Sequence, residues 1–227
     1  MRTRLSPCLT AVIAAGCLLL AAGAAMAQQT YDVTVTNLTA HQVFTPLLIA
    51  SHPHDTQLFQ VGQPASEALE QMAEGGDTSA LATELMTTGG ALSIVALTEP
   101  LLPGATSAPV QITTDLAASH ISVIGMLVPT NDGFVALNSA HIPETSETLR
   151  VPAYDAGTEA NDELCANIPG PPDVCAGEPF NPSREGAEGF VHIHRGMHGS
   201  PDLDAATYDW RNPVAQITIQ VTPVPTP

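Results

Sequence analysis

From Leu92 onward the chain breaks into short apolar runs punctuated by proline, glycine and acidic turns, and few folds tolerate that pattern. Leu92 to Leu97, Val110 to Thr114, His120 to Val128, Val135 to Leu137, Thr148 to Val151, Gly189 to His194 and Val214 to Val221 each read as a strand. Turns such as Leu102-Pro103-Gly104 separate them. Upstream, Tyr31, Val33 and Val35 alternate with Asp32, Thr34 and Thr36, the period-two signature of a half-buried strand. His41 to Ala50 is another apolar run, and Pro46 confines it to a sheet edge or a bulge. About eight or nine short strands at this spacing predict an all-β fold, an antiparallel β-sandwich of jelly-roll type.

Two stretches carry helical spacing instead. Ala65 to Ala73 reads as a short helix capped by Ser66, with Leu69 and Met72 three apart on one face, and Gly75-Gly76-Asp77 stops it. Ser79 to Met86 reads as a second, capped by Ser79, with Leu81 and Leu85 aligned. Both are expected as insertions between strands, not as a second domain.

The first 27 residues read as a secretory signal peptide. Arg2 and Arg4 precede an apolar segment from Leu9 to Ala25, and Ala25-Met26-Ala27 offers small residues for cleavage before Gln28. Lipidation at Cys17 is the alternative, and the apolar run continuing beyond Cys17 argues against it. The remainder, from Gln28 to Pro227, is long enough for one domain with a sizeable core. Thr222 to Pro227 forms a proline-rich tail that cannot continue a sheet. The expected location is secreted or periplasmic.

Charge narrows the partners. Beyond residue 27 the chain holds Arg150, Arg184, Arg195 and Arg211, no lysine, and all 23 acidic residues. Such a surface repels phosphate backbones and anionic headgroups, so neither nucleic-acid binding nor direct membrane insertion is expected. It suits either a saline medium or calcium capture.

Cys165 and Cys175 flank a Pro-Gly-rich loop in a chain read as exported, and they are expected to form a local disulfide. Their spacing does not match a zinc knuckle. Asn37-Leu38-Thr39 fits a glycosylation sequon that a bacterial-style signal peptide leaves idle.

Two acidic, glycine-bearing turns stand out. Pro129-Thr130-Asn131-Asp132-Gly133-Phe134 opens a segment that closes with Tyr154-Asp155-Ala156-Gly157-Thr158-Glu159-Ala160-Asn161-Asp162-Glu163. On residues alone they read either as neighbouring loops converging on a hard cation or as two solvated acidic turns.

A second constellation is Gly189-Phe190-Val191-His192-Ile193-His194-Arg195-Gly196-Met197-His198. In a strand His192 and His194 share a face, and His198 lies just beyond a turn. The set suits zinc or copper, or else a hydrogen-bonded polar patch. His52 and His54 form a further pair in a proline-containing loop, read as exposed; were they to meet His192 and His194, a histidine-rich copper site would follow.

Catalysis is not expected. Asp155 and Glu159 are a carboxylate pair, but glycoside hydrolysis needs a sugar cleft, and the chain has one tryptophan, Trp210. There is no Gly-x-Ser-x-Gly elbow. Trp210 reads as a cover for one end of the core, with Arg211 paired to Asp209, or as a ligand-stacking ring.

With strands and acidic loops in order, the chain resembles a bacterial member of the spondin domain family. Pro129 to Phe134 is similar to the family's Ser-Pro-Asp-Trp-Phe turn, and Asp155 to Glu159 to its Asp-Ala-Gly-Thr-Asp. Pro213 to Ile219 resembles its last strand. The resemblance covers Tyr31 to about Ile219, giving a spondin-type domain over 28–221.

It implies a sandwich related to calcium-dependent lipid-binding sandwiches, with calcium held at one end by Asp132, Asp155 and Glu159. Asn131, Asp162 and Glu163 stand by as contributors. The chain departs from the animal pattern at Asn131-Asp132-Gly133 and at Glu159, a longer oxygen ligand than aspartate. The implied role is non-catalytic binding or adhesion to a protein or glycan surface partner. The rival reading is a zinc or copper protein, or a metalloenzyme, built on His192, His194 and His198.

Overall fold

The computed structural model describes residues 28–178, 180–181 and 185–222. The predicted signal peptide, 1–27, and the proline-rich tail beyond Thr222 lie outside the described residues.

The strands pair antiparallel throughout, in two sheets. The smaller sheet is built on β1 (Gln29–Asn37), where Tyr31, Val33 and Val35 are buried as the alternation predicts. The remaining strands in chain order are β2 (Val43–Phe44), β3 (Leu48–His52), β4 (Ser93–Ala96), β5 (Val110–Thr114) and β6 (His120–Val128). Then come β7 (Gly133–His141), β8 (Ser146–Val151), β9 (Ala153–Asp155), β10 (His192–Ile193) and β11 (Ala215–Val221). The small sheet runs β5-β1-β11-β8; the large one runs β10-β9-β7-β6-β3-β4, with β2 pairing β6.

The core between the sheets takes Val33, Val35, Ile217 and Ile219 from one side and Ile49, Ile121, Val123 and Leu127 from the other. Strand β6 is buried on both faces, because Ile124, Met126 and Val128 enter a second core. That core lies under α1 (Glu67–Gly75) and α2 (Ser79–Thr87), whose Leu69, Met72, Leu81 and Leu85 are buried against the outer face of the large sheet. The helices are thus a third layer and not mere insertions. Each such fully buried side chain stabilises the fold by about 1.5–3 kcal/mol.

Capping follows expectation in α1, where Ser66 accepts from the Leu69 amide and Gly76, at φ 71°, closes the last turn on the Met72 carbonyl. In α2 the reading changes: Ser79 is the first helical residue, and Asp77 accepts its amide at 2.9 Å. Asp77 wins because its carboxylate reaches forward two residues, as an Asx turn does. Pro46 separates β2 from β3, as its missing N–H demands.

The sequon asparagine is not available to a glycan. Asn37 is fully buried, donates to the Gln42 and Leu101 carbonyls and accepts from the Thr39 amide. Trp210 is also buried, at the rim of the inter-sheet core, and Arg211 pairs with Asp209.

Cys165 and Cys175 are bonded across a sequence separation of 10. Closing a loop of that size restrains the unfolded chain by about 2–3 kcal/mol. The Cys165→Ala/Cys175→Ala double variant is expected to lose that amount in urea unfolding. An unchanged midpoint would mean that the local backbone bonds, such as Gly177 to the Ile168 carbonyl, hold the loop alone.

Candidate metal centre

The two acidic turns meet because of strand register. In β7–β9 Gly133 faces Asp155, and in β9–β10 Asp155 faces His192. Asp155 therefore stands at the middle of three strand ends, with Asp132 one residue before β7 on one side and the histidine strand on the other. Asp132 and Asp155 are 0% and 1% exposed, unusual for carboxylates.

Asp132 is held by one oxygen. Its Oδ2 accepts from the Thr158 amide at 2.7 Å, the Glu159 amide at 3.1 Å and the Thr158 hydroxyl at 3.3 Å. Its Oδ1 is buried without a hydrogen-bond partner among the described residues. Burial first, and then the charge of Asp155, push the Asp132 carboxyl up to about 8.

Asp155 spends its two oxygens differently. Oδ1 accepts from the Gly157 amide at 2.8 Å and lies 3.4 Å from His192 Nε2. Oδ2 accepts from Asn161 Nδ2 at 2.7 Å and lies 4.0 Å from His194 Nε2. Asn161 also donates to Glu188 at 3.1 Å, tying that exposed carboxylate to the centre. Burial raises the Asp155 carboxyl, against the Asn161 bond, which lowers it.

Among the described residues, Asp155, Glu188 and His192 each offer a ligand atom, all within 4.8 Å of one another. The tautomers separate the two histidines. His192 Nδ1 lies 3.1 Å from the Ile193 carbonyl, which can only accept, so Nδ1 carries a proton, and in the neutral ring Nε2 presents its lone pair toward Asp155. His194 is the reverse: the Gly196 amide donates to its Nδ1, so the neutral ring carries its proton on Nε2. Burial and then His192 depress His194 to about 3, so it stays neutral and acts as a donor-side wall packed 4.8 Å from the Trp210 ring.

The other expected ligands go elsewhere. Glu159 gives its amide to Asp132, and its Oε2, like Asp132 Oδ1, is buried without a hydrogen-bond partner among the described residues. Its side chain joins Asn131, Asp162, Asn167, Asn181 and Glu185 around a separate hollow of about 240 Å³. Burial, then Glu74 and then Asp132 push its carboxyl up to about 8. Asp162 accepts from Asn131, and Glu163 accepts from the His198 and Gly199 amides, holding the 196–200 loop. His198 lies 3.4 Å from Glu163 and does not join His192.

Glu188 escaped the sequence reading. Its one signal is a carboxylate four residues before His192 in a glycine-bearing loop.

The residues present fit a divalent cation. Asp155, Glu188 and the His192 imidazole bring ligand atoms together, and beside them Asp132 carries a buried carboxylate oxygen without a hydrogen-bond partner among the described residues.

A family model described as Spondin_N matches residues 28–166. The match takes in both acidic turns and stops short of Glu188 and His192. No curated protein matches the chain.

Proposed function

The chain belongs to the Spondin_N family, and from that premise we propose that it is an exported, non-catalytic binding module whose loop end takes calcium. The observation that carries the reading is the buried, unpartnered Asp132 Oδ1 beside Asp155. Asp132, Asp155 and Glu188 would hold the ion, with the carboxylate of Glu159, expected in the set, lining the neighbouring hollow. Bound calcium would supply positive charge that lets the buried carboxylates ionise and pins the two turns and the 188–192 segment together. The spondin domain and the Cys165–Cys175 bond suit an extracellular setting. Among the described residues no helix is long and apolar enough to cross a membrane. The partner class is a protein or glycan on a cell or matrix surface, met by the rigid loop end.

The lone pair of His192 Nε2 favours a second reading, a zinc-class ion on His192, Asp155 and Glu188, since imidazole is a poor calcium ligand. Residues 28–227, purified without added metal, are to be assayed for bound metals and then titrated with calcium and with zinc. At a hundredfold excess over Kd, calcium is expected to stabilise by about 2.7 kcal/mol, roughly 5–10 °C in Tm. Asp132→Asn and Asp155→Asn should abolish that shift, while Glu159→Gln and His192→Ala leave it. Loss of the metal response in His192→Ala alone would replace calcium by the zinc reading. No response to either ion would sink both.

A further inference from the structure

At the far end of β7 from Asp132, roughly 25 Å away by strand rise, lies a group of histidines that the acidic centre does not use. We propose that His54, His120 and His141 form a site for a divalent transition-metal ion of the zinc class, open to solvent.

The placement depends on a single β-bulge. Along β6–β7, Val123 faces Leu137, but Ile121 faces Ala140 and His120 faces His141. Asn138 and Ser139 together oppose Ser122, with Ser139 at φ 55°. Without the extra residue His120 would face Ala140, and His141 would project from the opposite side of the sheet. The bulge therefore brings the two imidazoles together, with ring centres 5.3 Å apart. His54, from the turn after β3, adds a third ring 6.2 Å from His120.

Two imidazoles sharing a tetrahedral zinc have ring centres about 5 Å apart, given bonds of about 2.0–2.1 Å. The His120–His141 pair already stands at that separation. His54 is exposed, and its side chain would rotate to bring a nitrogen to the pair, since the ligand atoms of the three do not all lie within 4.8 Å of one another as they stand.

A buried network holds the bulge. His52 is fully buried beneath the cluster, and its Nδ1 donates to the Pro53 carbonyl at 2.9 Å. Its Nε2 therefore accepts from the Ser122 hydroxyl at 2.8 Å, and Ser122 Oγ accepts in turn from the Ser139 amide at 2.9 Å. This chain fixes the turn that carries His54 and the bulge that aims His141, while consuming both nitrogens of His52. The ligand rings are left free: His120 Nδ1 meets Ser119 Oγ at 3.1 Å, and Nε2 remains. Among the described residues the rings of His54 and His141 have no hydrogen-bond partner. With oxygen donors lacking in the trio, the hard calcium ion is not its ligand.

The test uses residues 28–227 without a histidine tag, stripped with EDTA, in a His192→Ala background that removes the acidic centre's imidazole. Titration with zinc chloride is expected to show one zinc per chain, unaffected by millimolar calcium. His141→Ala and His54→Ala, both at exposed positions, should each weaken it by at least about tenfold, the floor set by milder outer-shell changes. Imidazole NMR should show the signals of His54, His120 and His141 moving with zinc, and that of His52 retaining its tautomer. Equal zinc affinity in His192→Ala and His192→Ala/His141→Ala, or stationary signals from the trio, would overturn the proposal. Because the background protein lacks the acidic centre's imidazole, zinc held by the trio is read apart from zinc held through His192, and the calcium competition reports the carboxylates that remain there.

Discussion

Stripped of divalent cations, the protein is expected to lose stability as pH rises from about 6.5 to about 8, and Asp132→Asn to remove roughly half of that loss. The sign follows from proton counting. An unfolded aspartate or glutamate releases its proton near pH 4, whereas Asp132 and Glu159 in the folded chain hold theirs to about 8. Between those limits the folded state binds more protons, so stability falls as pH rises, by up to about 1.4 kcal/mol per pH unit per carboxyl. His194 works the other way. Its folded value of about 3 against the ordinary 6.5 lowers stability as pH falls through that window, so the two effects oppose each other below pH 6.5. The clean interval is pH 6.5–8, where only the carboxyls act, and the loss is on the order of a few kcal/mol. Tm of chelator-treated protein at pH 6.5 and 8.5 measures it. Saturating calcium should remove the Asp132 share of the slope in the parent, because the ion holds Asp132 ionised, and cation binding should release protons. A chelated protein equally stable at both pH values would show that the buried carboxyls titrate normally.

Gly157→Ala is the second large effect, and it couples the fold to the centre. Gly157 sits at φ 65°, and a Cβ there would lie 2.3 Å from the Phe190 carbonyl oxygen and 2.7 Å from the Phe190 amide nitrogen. Both are backbone atoms, so no side-chain rotation relieves the clash. The Gly157 carbonyl also accepts from the Gly189 amide at 2.9 Å, fastening the 188–192 segment over Asp155. The variant is expected to lose about 2–4 kcal/mol of stability and to weaken cation binding, because Glu188 and His192 are carried away with the displaced backbone. Gly189→Ala is the control. It shares a positive φ of 83° but has nothing within 4 Å of its added Cβ, so it should lose about 1 kcal/mol and keep its cation response. Urea unfolding and calcium titration of the pair separate the close approach from the backbone conformation alone. Equal losses in both would mean that the approach of Gly157 to Phe190 carries no weight.

Much of the sandwich was legible because strand burial repeats every two residues. Val110–Thr114 and His120–Val128 stand where the alternating or continuous apolar runs put them. Strand β7 extends to His141, beyond the expected Leu137, since Asn138-Ser139-Ala140-His141 carries a bulge that breaks the alternation. Strand β10 shrinks to two residues, because Gly189 takes a left-handed conformation and Val191 turns into the helix-side core. The cysteine pair was legible from spacing and the expected export. Glu159 entered the expected calcium set through its place in an acidic motif, and the turn at Gly157 also brings its amide onto Asp132, a contact no local pattern announces.

By itself, then, the sequence determined what depends on neighbours along the chain: strand periodicity, the Ser66 cap, the Cys165–Cys175 loop and the two glycine-bearing acidic turns. Which ionisable groups meet was decided only by tertiary structure. Asp155 faces Gly133 and His192 across registers between segments twenty or more residues apart, and His141 joins His120 through a one-residue bulge. Side-chain direction alternates with every residue, so a single step in register sends a carboxylate or an imidazole to the opposite face. Local pattern carries no record of that step, which is set when the strands pack on a shared core.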